Sequence, residues 1–319
     1  MTPQKLHGVR MWVTEGCNAS CHFCMNMKSR MNSQMNISKF EELCYYFKQN
    51  GFDKIAIMGG EPTIHPNFLQ IMELSQKYFP SVYLFTNAIE GEILTQYLPR
   101  KTDTIIYNFS FSQSVTKNAL LLNNLGERIF DVVIDHSVDS DQIVSNMKQI
   151  IELLEGDIMR FKVQLVINNT CNIFKHKKKI IYNLNTIYNK LSQIKGINLV
   201  FECNAPPCFT YGVEMPSFKQ NTFCSPRAVL VDGSYNVRFC NIYDSVLVNM
   251  FQDNGIIPFS ILENYINMAY NKLRIDCLDK ICKDCMFYSR QCNGKCHIGL
   301  ASIKKEDICL TTKLPWFKS

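Results

Sequence analysis

The sequence predicts an α/β fold on a parallel sheet, followed by a small cysteine-rich C-terminal region. Two patterns predict the sheet. Over roughly the first two hundred residues, strand-length apolar runs alternate with longer amphipathic stretches, which is how βα units read. The runs KIAIM, TIIYNF and FDVVID are apolar with few interruptions, as expected of strands covered on both faces. A third predicts the appended region: CKDCMFYSRQCNGKC is too dense in cysteine to continue a βα repeat.

Taken in order, strands are expected over 8–14, 53–58, 81–86, 103–110, 129–135 and 161–167, with helices over 37–50, 66–78, 90–99, 115–125, 140–155 and 174–194. The run INLVFEC, ending at Cys203, also reads as a strand. A stretch from 204 to 223 that holds Pro206, Pro207 and Pro216 divides the chain into 1–203, a linker and 224–319. In the last part SPRAVLVDGSYNVRF reads as a hairpin turning at Asp232–Gly233. No internal repeat or low-complexity tract interrupts the chain.

The chain has 319 residues, 46% of them hydrophobic and 19% charged, enough for one large domain and one small one. MTPQKLHGVR lacks the apolar core of a secretory signal, and no stretch approaches membrane-spanning length. The 15 cysteines are therefore expected to serve metal binding or catalysis in a reducing, oxygen-poor cytoplasm, not to form disulfides. Lys175 to Lys179 form a basic run without interleaved aromatics, which fits a solvated helix start and not a nucleic-acid surface. Neither a nucleic acid nor a membrane is an expected partner.

Cys17, Cys21 and Cys24 stand in CNASCHFC, just after the first strand. A C-x3-C-x2-C triplet fits zinc poorly, because a structural zinc site wants four ligands and C-x2-C pairs. Three thiolates on a four-iron cluster leave one iron open to a ligand that is not protein. Downstream, the strand in KIAIMGGEPTIHP ends in Gly59, Gly60, Glu61 and Pro62, where two glycines permit close backbone approach and Glu61 offers a carboxylate to an ammonium group. The next strand ends in Thr86, Asn87 and Ala88. In parallel barrels the C-terminal strand ends carry the chemistry, and these motifs all fall there.

Together these motifs resemble the radical S-adenosylmethionine (SAM) enzymes. The resemblance implies a partial (β/α)6 TIM-like barrel in which Cys17, Cys21 and Cys24 hold a [4Fe-4S] cluster. Its open iron would take the amino and carboxylate groups of SAM, and the GGEP-like turn would hold the ammonium. The implied chemistry is one-electron cleavage of SAM to methionine and a 5′-deoxyadenosyl radical, then hydrogen abstraction from a substrate. Phe23 is expected near adenine, by likeness to family members. His22 is expected to be exposed. Ser110 and Ser112 could reach the SAM ribose, while Asp135, His136, Asn168 and Asn169 end strands facing the same cavity. Glu202 and Tyr211, near the domain junction, are candidates for substrate contact.

The C-terminal cysteines resemble a SPASM-type extension, which carries up to two auxiliary four-iron clusters. The likeness assigns Cys282, Cys285, Cys292 and Cys309 to an outer cluster and Cys224, Cys240 and Cys296 to an inner one. Six residues separate Cys285 from Cys292, where the family usually has five. The inner cluster lacks an obvious fourth thiolate: either Cys208 completes it or its iron binds substrate. Cys203 is a weaker candidate, Cys277 stays ambiguous, and Cys44 and Cys171 are expected to be packed or inert thiols. Three clusters on about eleven thiolates would carry about −5, bringing the formal +6 close to neutral.

Auxiliary clusters give an electron a way out, which favours an oxidative reaction. The expected substrate is a ribosomally made peptide that is crosslinked or dehydrogenated. A separate leader-peptide-recognition protein could deliver it, and a flavodoxin- or ferredoxin-type reductant would supply the electron. Two alternatives stay open, namely oxidation or rearrangement of a small biosynthetic intermediate and a non-catalytic iron–sulfur electron-transfer or scaffold protein.

Overall fold

The computed structural model describes residues 6–21, 24, 33–97, 99–111, 114–117, 127–153, 161–167, 176–194, 197–202, 228–238 and 246–277. Its strands are β1 (Gly8–Thr14), β2 (Lys54–Gly59), β3 (Ser81–Thr86), β4 (Thr104–Asn108), β5 (Glu127–Ile134), β6 (Phe161–Ile167), β7 (Asn198–Glu202), β8 (Ala228–Val231), β9 (Asn236–Arg238), β10 (Val246–Asn249), β11 (Phe251–Gln252) and β12 (Gly255–Ile256). The helices are α1 (Ile37–Gln49), α2 (Phe68–Tyr78), α3 (Gly91–Gln96), α4 (Ser140–Leu153), α5 (Lys177–Leu191) and α6 (Phe259–Cys277).

Ten strands share one sheet, in the order β10-β9-β8-β1-β2-β3-β4-β5-β6-β7. Neighbours from β1 to β7 pair parallel, as crossover helices require. β7 and β10 are its edges among the described residues, so the sheet they form is not closed into a barrel.

The expected hairpin forms, and it joins the main sheet. β8 pairs parallel with β1, setting Gly8 against Ala228 and Met11 against Val231, and β9 and β10 continue antiparallel. β8 thus covers an edge of β1 that would otherwise present unpaired backbone groups.

Alternation within the strands sorts the two faces. Val9, Met11 and Val13 of β1, Ile55 and Ile57 of β2, and Val82 and Leu84 of β3 enter the main core under the helices. The helices answer with stripes at helical spacing: Phe40, Leu43, Cys44 and Phe47 in α1, and Ile180, Leu184, Ile187 and Leu191 in α5. On the opposite face Trp12, Met58 and Leu230 form a small separate cluster with Phe85 against it. β4 is buried almost throughout, as its apolar run predicts, whereas β3 alternates buried and half-buried positions.

At the N-terminal ends of the strands, Asp103 ties three elements together. Its buried carboxylate accepts from Val82 N at 3.2 Å, Gln76 Nε2 at 2.8 Å and the Arg100 guanidinium at 2.9 Å. Arg100 in turn donates to the carbonyls of Gln76 and Phe79 at the end of α2. Burial alone would raise the Asp103 pKa, but the Arg100 contacts hold it below the ordinary carboxylate value. Asp103→Ala removes the shared acceptor and leaves Arg100, whose side chain is 38% exposed, to return to water. The expected loss is about 2 kcal/mol of unfolding free energy, read from urea denaturation.

Candidate functional site

The three-thiol loop begins where β1 ends. Thr14 pairs with Gly59 after a register shift beyond Trp12, so the chain leaves the pleat as it approaches the cysteines. The loop returns beside itself. Glu15 N donates to Ser33 O at 3.0 Å, Met35 N donates to Val13 O at 2.8 Å, and Thr14 forms an antiparallel bridge with Gln34. Glu15 is thus held to Ser33, which closes the neck of the segment that carries the cysteines.

Cys17, Cys21 and Cys24 are partly exposed, and none of them is in a disulfide. Cys24 N donates to Cys21 O at 3.0 Å, and Ala19 N meets Cys17 Sγ at 3.4 Å. The donor set fits an iron–sulfur cluster in kind, with three reduced thiols on one short loop. Among the described residues, however, no three His, Cys, Asp or Glu side chains are gathered closely enough to hold one ion. The fit is in donor chemistry and not yet in convergence.

The turn after β2 grips the neck. Gly60 N donates to Thr14 O at 2.8 Å and Glu61 N to Gly16 O at 2.9 Å. A Cβ on Gly59, whose φ is +149°, would stand 2.1 Å from Thr14 O, and one on Gly60 would stand 2.0 Å from Gly16 O. Both glycines are therefore required for chain-to-chain approach, where the sequence suggested approach to a ligand.

Glu61 is 1% exposed, and both oxygens of its carboxylate have partners within the chain. Oε1 accepts from Thr63 N at 3.1 Å, Thr63 Oγ1 at 2.7 Å and Thr86 Oγ1 at 2.8 Å, and Oε2 accepts from Asn87 N at 2.7 Å. Burial raises the Glu61 pKa even against these four donors. The carboxylate ties the end of β3 to the turn after β2, and it caps the short 3-10 helix that Pro62 opens.

Asn87 carries that tie to the cysteines. Its Nδ2 donates to Asn18 Oδ1 at 2.8 Å, and Asn18 Nδ2 donates to Glu90 Oε1 at 3.2 Å. Ala88, at φ 56°, makes the tight exit that allows this, with its N–H on Thr86 Oγ1. Asn18, Thr63 and Glu90 were not singled out from the sequence; only the position of Asn18 inside the cysteine triplet hinted at it.

Beneath the neck lies His65, 3% exposed. Nδ1 accepts from Asn67 N at 3.0 Å, so the proton sits on Nε2, which donates to Met35 O at 3.1 Å. Burial lowers its pKa below the ordinary value.

The remaining candidates divide. Ser110 is exposed, with its N–H on Asn108 Oδ1 at 3.0 Å. Asp135 is buried and accepts from Ser137 N and Oγ at 2.7 Å each, a turn-forming arrangement. His136 is exposed and stacks on His176, ring centroids 3.9 Å apart. Glu202 ends β7. Cys277 ends α6. Cys44 is fully buried, and burial pushes its thiol pKa up, making it an inert core residue. His22, Phe23, Ser112, Asn168, Asn169, Cys171, Cys203, Cys208, Tyr211, Cys224, Cys240, Cys282, Cys285, Cys292, Cys296 and Cys309 lie outside the described residues.

Residues 11–108 match the family model of the Radical SAM superfamily, a stretch that holds the three thiols, the GGEP turn and the end of β3. GTP 3′,8-cyclase of Shewanella denitrificans is 25% identical over 166 residues, covering 50% of this chain and 49% of that relative. Molybdenum cofactor biosynthesis protein moc-5 of Caenorhabditis elegans is 30% identical over 113 residues, 33% of this chain and 18% of that one. The chain thus spans about half the length of the first relative and less of the second. Among solved structures, Streptococcus suis SuiB bound to S-adenosylmethionine superposes with a TM-score of 0.67 at 14% identity, covering 95% of this chain and 76% of that one. The anSMEcpe structure with bound AdoMet and Kp18Cys peptide gives 0.59 at 17% identity, covering 91% and 88%. These likenesses show a shared fold.

Two outcomes are expected of this site. Glu61→Gln turns an amide NH2 toward donors that already occupy both oxygens, so unfolding free energy falls by about 2 kcal/mol in denaturant titration. For His65 the folded pKa lies below the unfolded one, so the unfolded chain binds more protons as pH drops. Stability should decline as pH falls through the ordinary histidine value of about 6.5, and His65→Gln should flatten that dependence.

Proposed function

We propose that this chain is a radical SAM enzyme that oxidatively modifies a peptide, with Cys17, Cys21 and Cys24 holding a [4Fe-4S] cluster. The observation that carries the reading is the thiol loop itself, closed at its neck and tied at Asn18 to the end of β3. The family match over 11–108 covers the same elements and supports it. When loaded, the cluster supplies the electron that cleaves SAM.

The chain's own residues prepare the site. Gly59 and Gly60 let the turn lie against the loop's neck, Glu61 fixes that turn to Thr86 and Asn87, and Asn87 holds Asn18 between the first two cysteines. Gathering of the three thiols then accompanies metal loading, in keeping with the coupling of metal binding to folding.

For the C-terminal region we propose the SPASM-type assignment: Cys282, Cys285, Cys292 and Cys309 on one auxiliary cluster, and Cys224, Cys240, Cys296 and Cys208 on another. The peptide reading draws support from the likeness to SuiB and anSMEcpe, which extends over more than nine-tenths of this chain. The match to GTP 3′,8-cyclases favours a second reading, a nucleotide or other small molecule as substrate, over half of the chain.

Anaerobically reconstituted protein given SAM and a strong reductant is expected to release 5′-deoxyadenosine, and the Cys17→Ala/Cys21→Ala/Cys24→Ala variant none. Absence of the product from wild-type protein with intact clusters would leave an iron–sulfur electron carrier. Consumption of added GTP coupled to SAM cleavage would replace the peptide by the nucleotide.

A further inference from the structure

We infer that the tip of the β8–β9 hairpin, from Gly233 to Tyr235, positions the three-thiol loop. The inference rests on the reading of that loop as the seat of the cluster. The turn after β2 holds one side of the loop's neck, and the hairpin holds another from some two hundred residues further along the chain.

The contacts are close and specific. A Cβ on Gly233 would lie 2.7 Å from Ser33 Oγ and 3.2 Å from Ser33 O, and that carbonyl is the one that accepts from Glu15 N to close the neck. Asn36 N, left outside the hydrogen-bond ladder of α1 as its capping residue, donates to Tyr235 Oη at 2.8 Å. The Lys39 ammonium sits 4.9 Å from the Tyr235 ring centroid and 4.6 Å from that of Phe251.

The tip is built as a rigid part. Asp232, 1% exposed, accepts from Ser234 N at 3.0 Å, Asn236 N at 2.9 Å and Arg238 Nε at 2.8 Å. From behind, Asn249 Nδ2 donates to Ser234 O at 2.9 Å and Met250 N to Tyr235 O at 2.8 Å. Tyr235 is held at φ 66°, a left-handed conformation that glycine would adopt freely and a bulky aromatic does not. Such strain persists where the surroundings over-determine it. Here the ring and hydroxyl, which glycine lacks, reach the segment that leaves the thiol loop.

The test uses the full chain, as apoprotein and after anaerobic reconstitution, with Tyr235→Phe, Gly233→Ala, Ser33→Ala and the Gly233→Ala/Ser33→Ala pair. Hydrogen exchange at Glu15 and Asn36 reads the neck. Iron content and the electron paramagnetic resonance spectrum of the reduced protein, with and without SAM, read the cluster. Tyr235→Phe should speed Asn36 exchange about tenfold with circular dichroism unchanged, and weaken the spectral response to SAM. Gly233→Ala should speed Glu15 exchange and lower iron content; Ser33→Ala alone should do neither and should restore both in the pair, because it removes the colliding oxygen.

Should Gly233→Ala fail to fold, Tyr235→Phe, which changes a single hydroxyl, decides alone. Wild-type exchange and SAM response in folded Tyr235→Phe would overturn the inference. Faster exchange with an unaltered SAM response would make the hairpin a structural brace only, which also overturns it. A wild-type protein that shows no response to SAM defeats the proposed function and this inference together, whereas a wild-type response preserved in the variants defeats the inference alone.

Discussion

The site depends on a contact between two stretches of backbone with no room for a side chain. The turn at Gly59 and Gly60 lies so close to Thr14 and Gly16 that a single methyl group on either glycine would overlap a carbonyl oxygen. Two hydrogen bonds, Gly60 N to Thr14 O and Glu61 N to Gly16 O, extend the β1–β2 pairing past the end of the regular strands. This contact fixes one end of the loop that carries the three thiols. The Ser33–Glu15 closure fixes the other.

Around that contact, buried polar groups add to the joining that apolar packing does. The main core holds strands to helices and extends to Met35, Ala88 and Phe109 beyond the regular strands. There Glu61 links the turn after β2 to the end of β3, Asn87 links that end to Asn18, and His65 links the short 3-10 turn to Met35. A buried carboxylate with four donors is directional and intolerant of substitution. Its cost appears in the raised Glu61 pKa, since burial outweighs even four hydrogen bonds in favour of the charged form.

Much of this was legible in the sequence, and the parts that were not share a cause. β1, β3 and β6 fall where the apolar runs place them, because strand periodicity is a local signal. Cys44 reads correctly as a packed thiol because it sits on the apolar stripe of α1. The burial of Glu61 is not legible, because a sequence displays a carboxylate without its surroundings. The joining of β8 to β1 leaves no local trace, since Gly8 and Ala228 are brought together only by the complete sheet. Tyr235 is hidden for the opposite reason: the usual mark of a left-handed residue is glycine, and none stands there.

The distribution of the family match over the fold explains why the cofactor is easier to read than the substrate. Residues 11–108 run from within β1 to the end of β4 and hold the turn after β2, the Glu15–Ser33 neck and the tie from Asn87 to Asn18. A small molecule handled in one way imposes one geometry, and that geometry needs particular residues at particular strand ends. The later strands carry a different assortment: Asp135 folded onto Ser137, His136 stacked on His176, and Glu202 at the end of β7. None of these forms a motif with a chemistry fixed by spacing. Trp12, Met58, Phe85 and Leu230 form a separate apolar cluster on β1, β2, β3 and β8. The hairpin that returns to β1 is where the later chain bears on the earlier.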